Sequence, residues 1–233
     1  MLSNMEFMEF DQIVRIKATL ERVKTLPKLQ PFCTVAQYAE LGFDLWSPAD
    51  FVMPAQEKYT EHSWYQQNFL TEFGYVLPTR EVMDTLAELL HDVGPVLEAG
   101  SGSGYLSQEL TRLGMETFAV DNGDPSLPIH KRDAQSDAAS CVSDHFGAVL
   151  MTWPPFNGPF ALNVAMAMTP GQILVYEGEN GGGCTADSAF FNYLVDKGCW
   201  ETLFHLSDRL DAAHVTFSMN RDHWLMFRKR PYG

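Results

Sequence analysis

Positive charge is the scarcest thing in this chain: 16 Lys and Arg stand against 30 Asp and Glu in 233 residues, a formal charge of −14. A surface that neutralises phosphates must supply Lys and Arg, so the balance disfavours a nucleic-acid partner or an anionic membrane. A short basic cluster, Arg221, Arg228, Lys229 and Arg230, narrows that exclusion at the C-terminal end. Cysteine is scarce too, with four residues at 33, 141, 184 and 199. Their spacing fits neither a zinc site nor a dense disulfide framework, so free thiols in a reducing cytosol are expected. No run approaches the roughly 20 apolar residues of a membrane span. The first residues carry Glu6, Glu9, Asp11, Arg15 and Lys17 where a secretory signal would need an apolar core. A soluble, cytoplasmic protein is therefore expected. The seven histidines form no H-x-x-x-H or H-E-x-x-H pair, which gives no indication of a metal site. Also missing are a G-x-S-x-G elbow and a Walker phosphate loop, which sets aside esterase-type hydrolases and P-loop nucleotidases.

What is present suits a folded domain, since 45% of residues are hydrophobic and 12% aromatic. A chain of this length can bury about 70% of its unfolded surface. Phe7, Phe10, Ile13, Val14, Ile16, Leu20 and Val23 recur at mostly helical spacing and predict a helix ending before Pro27. Residues 28–71 are irregular and rich in Pro and aromatics, and predict short helices forming a cap. Thr79 reads as the N-cap of a helix through Leu90, with Val82, Leu86, Leu89 and Leu90 on its apolar face. Strand-like runs follow at 96–99, 117–120, 129–133, 147–152 and 172–176. Helix-like segments at 103–113, 160–168 and 188–197 separate most of them, and strands are predicted again at 200–206 and 223–228. Such alternation implies an α/β fold, a doubly wound, mostly parallel sheet with an N-terminal helical cap, divided at 1–74 and 75–233. Ligands of such sheets bind beyond the carboxyl ends of the strands.

One of those ends carries the strongest signal. Val96-Leu97-Glu98-Ala99 is a buried-type strand, and Gly100-Ser101-Gly102-Ser103-Gly104-Tyr105 turns it into a helix. Glycines let the backbone turn sharply and approach a ligand, and the helix start offers unpaired N–H groups. A dinucleotide fingerprint needs G-x-G-x-x-G, whereas this turn is G-x-G-x-G with Tyr105 next and Glu98 close to where a pyrophosphate would lie. The pattern resembles the first motif of the Rossmann-like, class I S-adenosylmethionine-dependent methyltransferases. Asp121, at the end of the second strand, is placed to accept the two hydroxyls of a ribose. The resemblance puts an acid and a backbone N–H that read adenine at Asp133 and Ala134.

Thr152-Trp153-Pro154-Pro155-Phe156 closes the next strong strand. It is similar to the fourth motif of amino-methylating enzymes, in which an Asp, Asn or Ser precedes Pro-Pro-(Tyr/Phe). Trp153 departs from that pattern, because an indole has no atom that accepts a hydrogen bond there. Glu177 and Glu179 follow at the end of the 172–176 strand and are candidate general bases. With Gly181-Gly182-Gly183-Cys184-Thr185, Asp187 and Phe190-Phe191, this stretch resembles a set of bacterial methyltransferase-like proteins of unassigned substrate. That resemblance takes in Gly74 to Arg80 and suggests Tyr75, Thr79 and Arg80 for holding the donor's carboxylate or closing the pocket.

The expectation is thus an S-adenosylmethionine-dependent methyltransferase acting on a small molecule or a protein, with nucleic acid and membrane disfavoured. Cofactor contacts are expected from Glu98, Gly100, Ser101, Gly102, Gly104, Tyr105, Asp121, Asp133, Ala134 and Thr152, with Tyr75 and Thr79. Trp153, Phe156, Glu177 and Glu179 are expected around the reacting group. The alternative is a methyltransferase-like domain that binds a ligand or partner without catalysis.

Overall fold

The computed structural model describes residues 17–19, 21–43, 56–121, 138–181, 183–196, 198–217 and 220–231, with the backbone alone at 56–59. The strand predicted over 129–133, Asp133 and Ala134 lie outside those residues, as do the apolar positions from Phe7 to Ile16. Backbone at 17–19 and 21–23 is helical and stops before Pro27, where the sequence predicts an end.

Two helices open the cap. α1 (Val35–Glu40) is held by a reciprocal capping box, in which Thr34 accepts from Gln37 and the Gln37 side chain accepts from the Thr34 N–H. α2 (Gln56–Glu72) is 17 residues long, where only short helices were predicted. Aromatic-rich composition hid its helical register, since Trp64, Tyr65, Phe69 and Phe73 are spread through a segment that is not strongly amphipathic. α3 (Arg80–Leu90) starts as predicted at the Thr79 cap and buries Val82, Met83, Leu86 and Leu90 on one side.

Among the described residues the sheet is a six-stranded, mostly parallel, doubly wound array. Its strands are β1 (Val96–Ala99), β2 (Thr117–Val120), β3 (Ala148–Thr152), β4 (Ile173–Glu179), β5 (Trp200–Thr202) and β6 (Asp222–Lys229), in the order β2-β1-β3-β4-β6-β5. β2, β1, β3 and β4 are parallel, whereas β6 runs antiparallel to both β4 and β5. Central strands covered on both faces read as continuous apolar runs, and β1 is buried at all four positions. The crossovers carry α4 (Tyr105–Arg112), α5 (Ala138–Cys141), α6 (Phe160–Ala167), α7 (Ser188–Leu194) and α8 (Phe204–Asp211).

Apolar clusters fill both faces. Leu97, Val149, Met151, Leu174 and Tyr176 pack with Val164, Phe190 and Leu194 of α6 and α7. Val96, Leu150, Val175, Trp224 and Met226 pack with α3, α4 and α8 through Leu86, Leu106 and Leu210. A third cluster joins the cap residues Leu29, Tyr38, Phe43, Tyr65 and Phe69 to Leu77, Val215 and Phe217.

Of the two strands predicted at the tail, that over 223–228 is present as β6, whereas the one over 200–206 is extended only at Trp200–Thr202, and Phe204–Asp211 is helical. Leu203, Leu206 and Leu210 recur at three and four residues, a helical period that the preceding strand masked, and Leu203 and Leu210 are buried. β4 is also longer than predicted, because β6 keeps pairing with it as far as Glu179↔Asp222.

A candidate ligand cleft at the carboxyl edge of the sheet

Chain direction away from β1 reverses between its two neighbours, β2 and β3, so a crevice opens at their carboxyl ends. The turn from β1 into α4 forms its floor. Gly100 and Ser101 both donate their N–H groups to the Val120 carbonyl, at 2.9 and 3.0 Å, which ties the turn to the end of β2. The Gly102 N–H donates to Asp121 Oδ2 at 2.8 Å and fixes that carboxylate against the turn. Gly100 has a φ of 76°, and a Cβ there would stand 3.0 Å from the Phe160 ring. Only glycine fits both demands.

A cavity of about 270 Å³ lies above this floor, lined by Tyr75, Gly100, Ser101, Gly102, Tyr105, Asp121, Thr152 and Trp153. Phe73, Gly74, Val76, Val120, Ala138, Pro154, Pro155 and Phe160 complete the wall, and of these Phe73, Val120, Ala138 and Phe160 belong to no motif read in the sequence. Ser101 Oγ is buried and has no hydrogen-bond partner among the described residues. Tyr105 leans over the turn, its hydroxyl donating to the Val76 carbonyl at 2.6 Å.

Several predicted site residues lie elsewhere. Glu98 sits beneath the turn, 1% exposed, with Oε2 accepting the Ser107 N–H at 3.1 Å. Burial raises its carboxyl to about 7 despite that bond. Thr79 is spent on structure, accepting from the Val82 N–H and donating to the Ala213 carbonyl. Gly104 is the left-handed N-cap of α4, outside the cavity lining. Arg80 is exposed and reaches the Phe32 carbonyl at 3.4 Å. Phe156 is 53% exposed and does not line the cavity. Neither predicted base reaches the cleft: Glu179 accepts the Cys184 N–H and closes its own loop, and Glu177 is sealed in the core with no exposure.

Trp153 does line the cleft, and it is unusual. Its φ is 43°, a left-handed conformation rare for a bulky residue. Its N–H donates to the Glu177 carbonyl at 2.8 Å, and its ring stacks on Tyr75 with centroids 5.1 Å apart and planes 14° from parallel. The indole Nε1 donates to Asp222 Oδ2 at 3.3 Å.

Behind that indole is a buried polar cluster absent from the sequence reading. Asp222, on the strand paired with β4, also accepts from the Thr216 hydroxyl, and His214 Nε2 lies 3.7 Å from its Oδ1. Trp224 Nε1 donates to His214 Nδ1 at 3.2 Å. Burial alone would raise the Asp222 carboxyl, but its polar neighbours His214, Glu177 and Thr216 outweigh it and hold it below the ordinary carboxylate range. Glu177 is pushed well above the usual carboxylate range, first by burial and then by the Asp222 charge. An acid opening an otherwise apolar strand, Asp222-His223-Trp224-Leu225-Met226-Phe227, is the one signal by which the sequence announces it.

No family model matches the sequence, and no curated protein is similar to it. Among solved structures the chain is similar to TehB from Haemophilus influenzae, at 15% identity over 71% of this chain and 67% of that one, with a TM-score of 0.43. It is also similar to the Burkholderia thailandensis 1,6-didemethyltoxoflavin-N1-methyltransferase, at 15% identity over 79% and 95% of the two chains, TM-score 0.38. A third likeness is to the T. thermophilus 16S rRNA N2 G1207 methyltransferase, at 18% identity over 64% and 42%, TM-score 0.39.

Proposed function

We propose that the chain is an S-adenosylmethionine-dependent methyltransferase acting on a small molecule or a protein. The observation that carries this reading is the glycine turn at the sheet's switch point, clamped to Asp121 and facing a cleft. Three features of the cleft fit the cofactor. Ser101 Oγ is a buried polar atom waiting for a partner. Space beside Gly102, where an added Cβ would meet nothing within 4 Å, leaves its backbone open to a ligand. A carboxylate at the end of β2 suits vicinal hydroxyls of a ribose.

In this reading Gly100, Ser101 and Gly102 hold the methionine part, with Tyr75 and Tyr105 covering it, and Asp121 takes the ribose. Asp133 and Ala134 remain our proposal for the adenine. When bound, the cofactor supplies a methyl group on a sulfonium, open to attack by a nucleophile. The chain contributes orientation and exclusion of water, for which the Tyr75–Trp153 stack and Pro154 and Pro155 form a rigid wall. Residues 1–74 serve as the cap over the domain formed by 75–233. Four free cysteines suit a reducing cytoplasm, and among the described residues no helix is long and apolar enough to cross a membrane.

Calorimetry with S-adenosylmethionine, S-adenosylhomocysteine and NAD tests the proposal. Both adenosylated ligands should bind and NAD should not. Asp121→Ala should weaken binding about 10- to 100-fold, the loss of charge-assisted hydrogen bonds of about 1.5–3 kcal/mol. Failure of both adenosylated ligands to bind sinks the reading.

A second reading is a module that binds the ligand without transferring a methyl group. Its support is Trp153, whose only polar side-chain atom is turned away toward Asp222, and the burial of Glu177. Binding of cofactor with no methyl uptake by any acceptor in a cell extract would favour it.

A further inference from the structure

Glu177, His214 and Asp222 bring one ligand-type atom each within 4.8 Å of one another, and all three are buried. Both oxygens of Glu177 and the Nε2 of His214 lack a hydrogen-bond partner at normal distance. By composition this is a cation site of two carboxylates and one imidazole. The histidine's tautomer argues otherwise. An indole N–H can only donate, so the bond from Trp224 Nε1 requires a lone pair on His214 Nδ1. In a neutral ring the proton then sits on Nε2, the atom turned toward Asp222. Metal-bound imidazoles need the reverse, a lone pair on the ligating nitrogen and a proton on the other that is donated to an acceptor.

Asp222 accepts from two donors, the Thr216 hydroxyl and the Trp153 indole, and the His214 Nε2 lies 3.7 Å from its Oδ1. That is the environment of an ionised carboxylate. Glu177 faces Asp222 within 4.8 Å in the same dry space, with Asp211 adding further negative charge. Two adjacent carboxylates without a cation cannot both ionise, so one proton stays on Glu177.

We propose that this cluster is a proton-holding site whose task is to position Trp153: ionised Asp222 anchors the indole N–H, and neutral Glu177 and His214 support Asp222 without a metal ion. Trp153 thereby becomes specificity-determining for the acceptor. Stacked on Tyr75 with its N–H turned toward Asp222, it offers the cleft apolar ring atoms and no side-chain hydrogen-bonding atom, so acceptors are selected by an apolar surface. The role given to the acceptor rests on the proposed methyltransferase reading, whereas the state of the cluster does not.

The test is nitrogen NMR on the full-length, ¹⁵N-labelled protein. His214 should show an unprotonated Nδ1 and a protonated Nε2, unchanged by excess Zn²⁺ or Mn²⁺. A proton on Nδ1, or uptake of one metal ion per chain that moves the Nε2 signal, overturns the proposal, and this readout needs no variant to fold. The Trp153 indole N–H, identified by its loss in W153F, should move and exchange faster in D222N and stay in place in E177Q. An unmoved signal in D222N also overturns it. If the unaltered protein binds no adenosylated ligand while the NMR results hold, the methyltransferase reading fails and the positioning site stands.

Discussion

Glu98 and Asp222 are two buried carboxyls of one sheet, and they respond to pH in opposite directions. Glu98 gains one backbone hydrogen bond and is otherwise desolvated, so its folded value near 7 exceeds the ordinary 4.5. The folded chain then holds a proton that the unfolded chain releases, and stability falls as pH rises from about 4.5 to 7. Glu98→Gln should flatten that slope in urea denaturation series across the interval. Asp222 is depressed below its ordinary value of 3.8, so its contribution is present above that value and is lost as pH falls below it. Asp222→Asn should lower neutral-pH stability by about 1–3 kcal/mol, the cost of weakening buried bonds, and Glu177→Gln should change it by less than about 1 kcal/mol. The same residues show what the sequence discloses. Gly100, Ser101, Gly102 and Asp121 were legible because a strand end, a glycine turn and a second strand end act within a short stretch of chain. Trp153's partner lies 69 residues away, and no local pattern connects them. Glu177 was legible as a strand-end acid, but its burial follows from β6 pairing beyond it, Glu177↔Trp224, which depends on distant chain.

At the level of elements, caps and turns carry the local order. The Thr79 hydroxyl serves α3 at one end and the Ala213 carbonyl at the other, joining the helix to the segment that follows α8. Thr79→Ala should cost about 0.5–2 kcal/mol, read as a shift of the urea midpoint, with ligand affinity unchanged because the residue lies off the cleft. Gly100→Ala is the contrasting case. Its φ of 76° and the Phe160 ring 3.0 Å from the added carbon demand movement of the turn itself. Both stability and adenosyl-ligand affinity should fall, measured by denaturation and calorimetry. The parallel strands β1, β2 and β3 and helix α3 were readable from period and capping, since each satisfies its own local rules. α8 was not, because Trp200–Thr202 is extended and the leucine period begins only at Leu203.

Over the whole molecule, the charge of −14 opposes compaction, and modest salt should relieve it. Raising ionic strength from about 0.01 to 0.15 M should therefore raise the thermal midpoint, measured by circular dichroism. The cap is attached by hydrogen bonds, such as those from the Val35 N–H to Glu81 and from the Phe32 N–H to the Pro78 carbonyl, and by apolar contact. Val215 and Phe217 enter its core beside Phe43 and Phe69. Between and before them on the chain, Thr216 and His214 turn the other way, toward Asp222. Neighbouring residues of one extended stretch thus serve two different interiors. A ligand that steadies Trp153 should therefore slow amide exchange at 215–217, read by hydrogen exchange with and without S-adenosylhomocysteine.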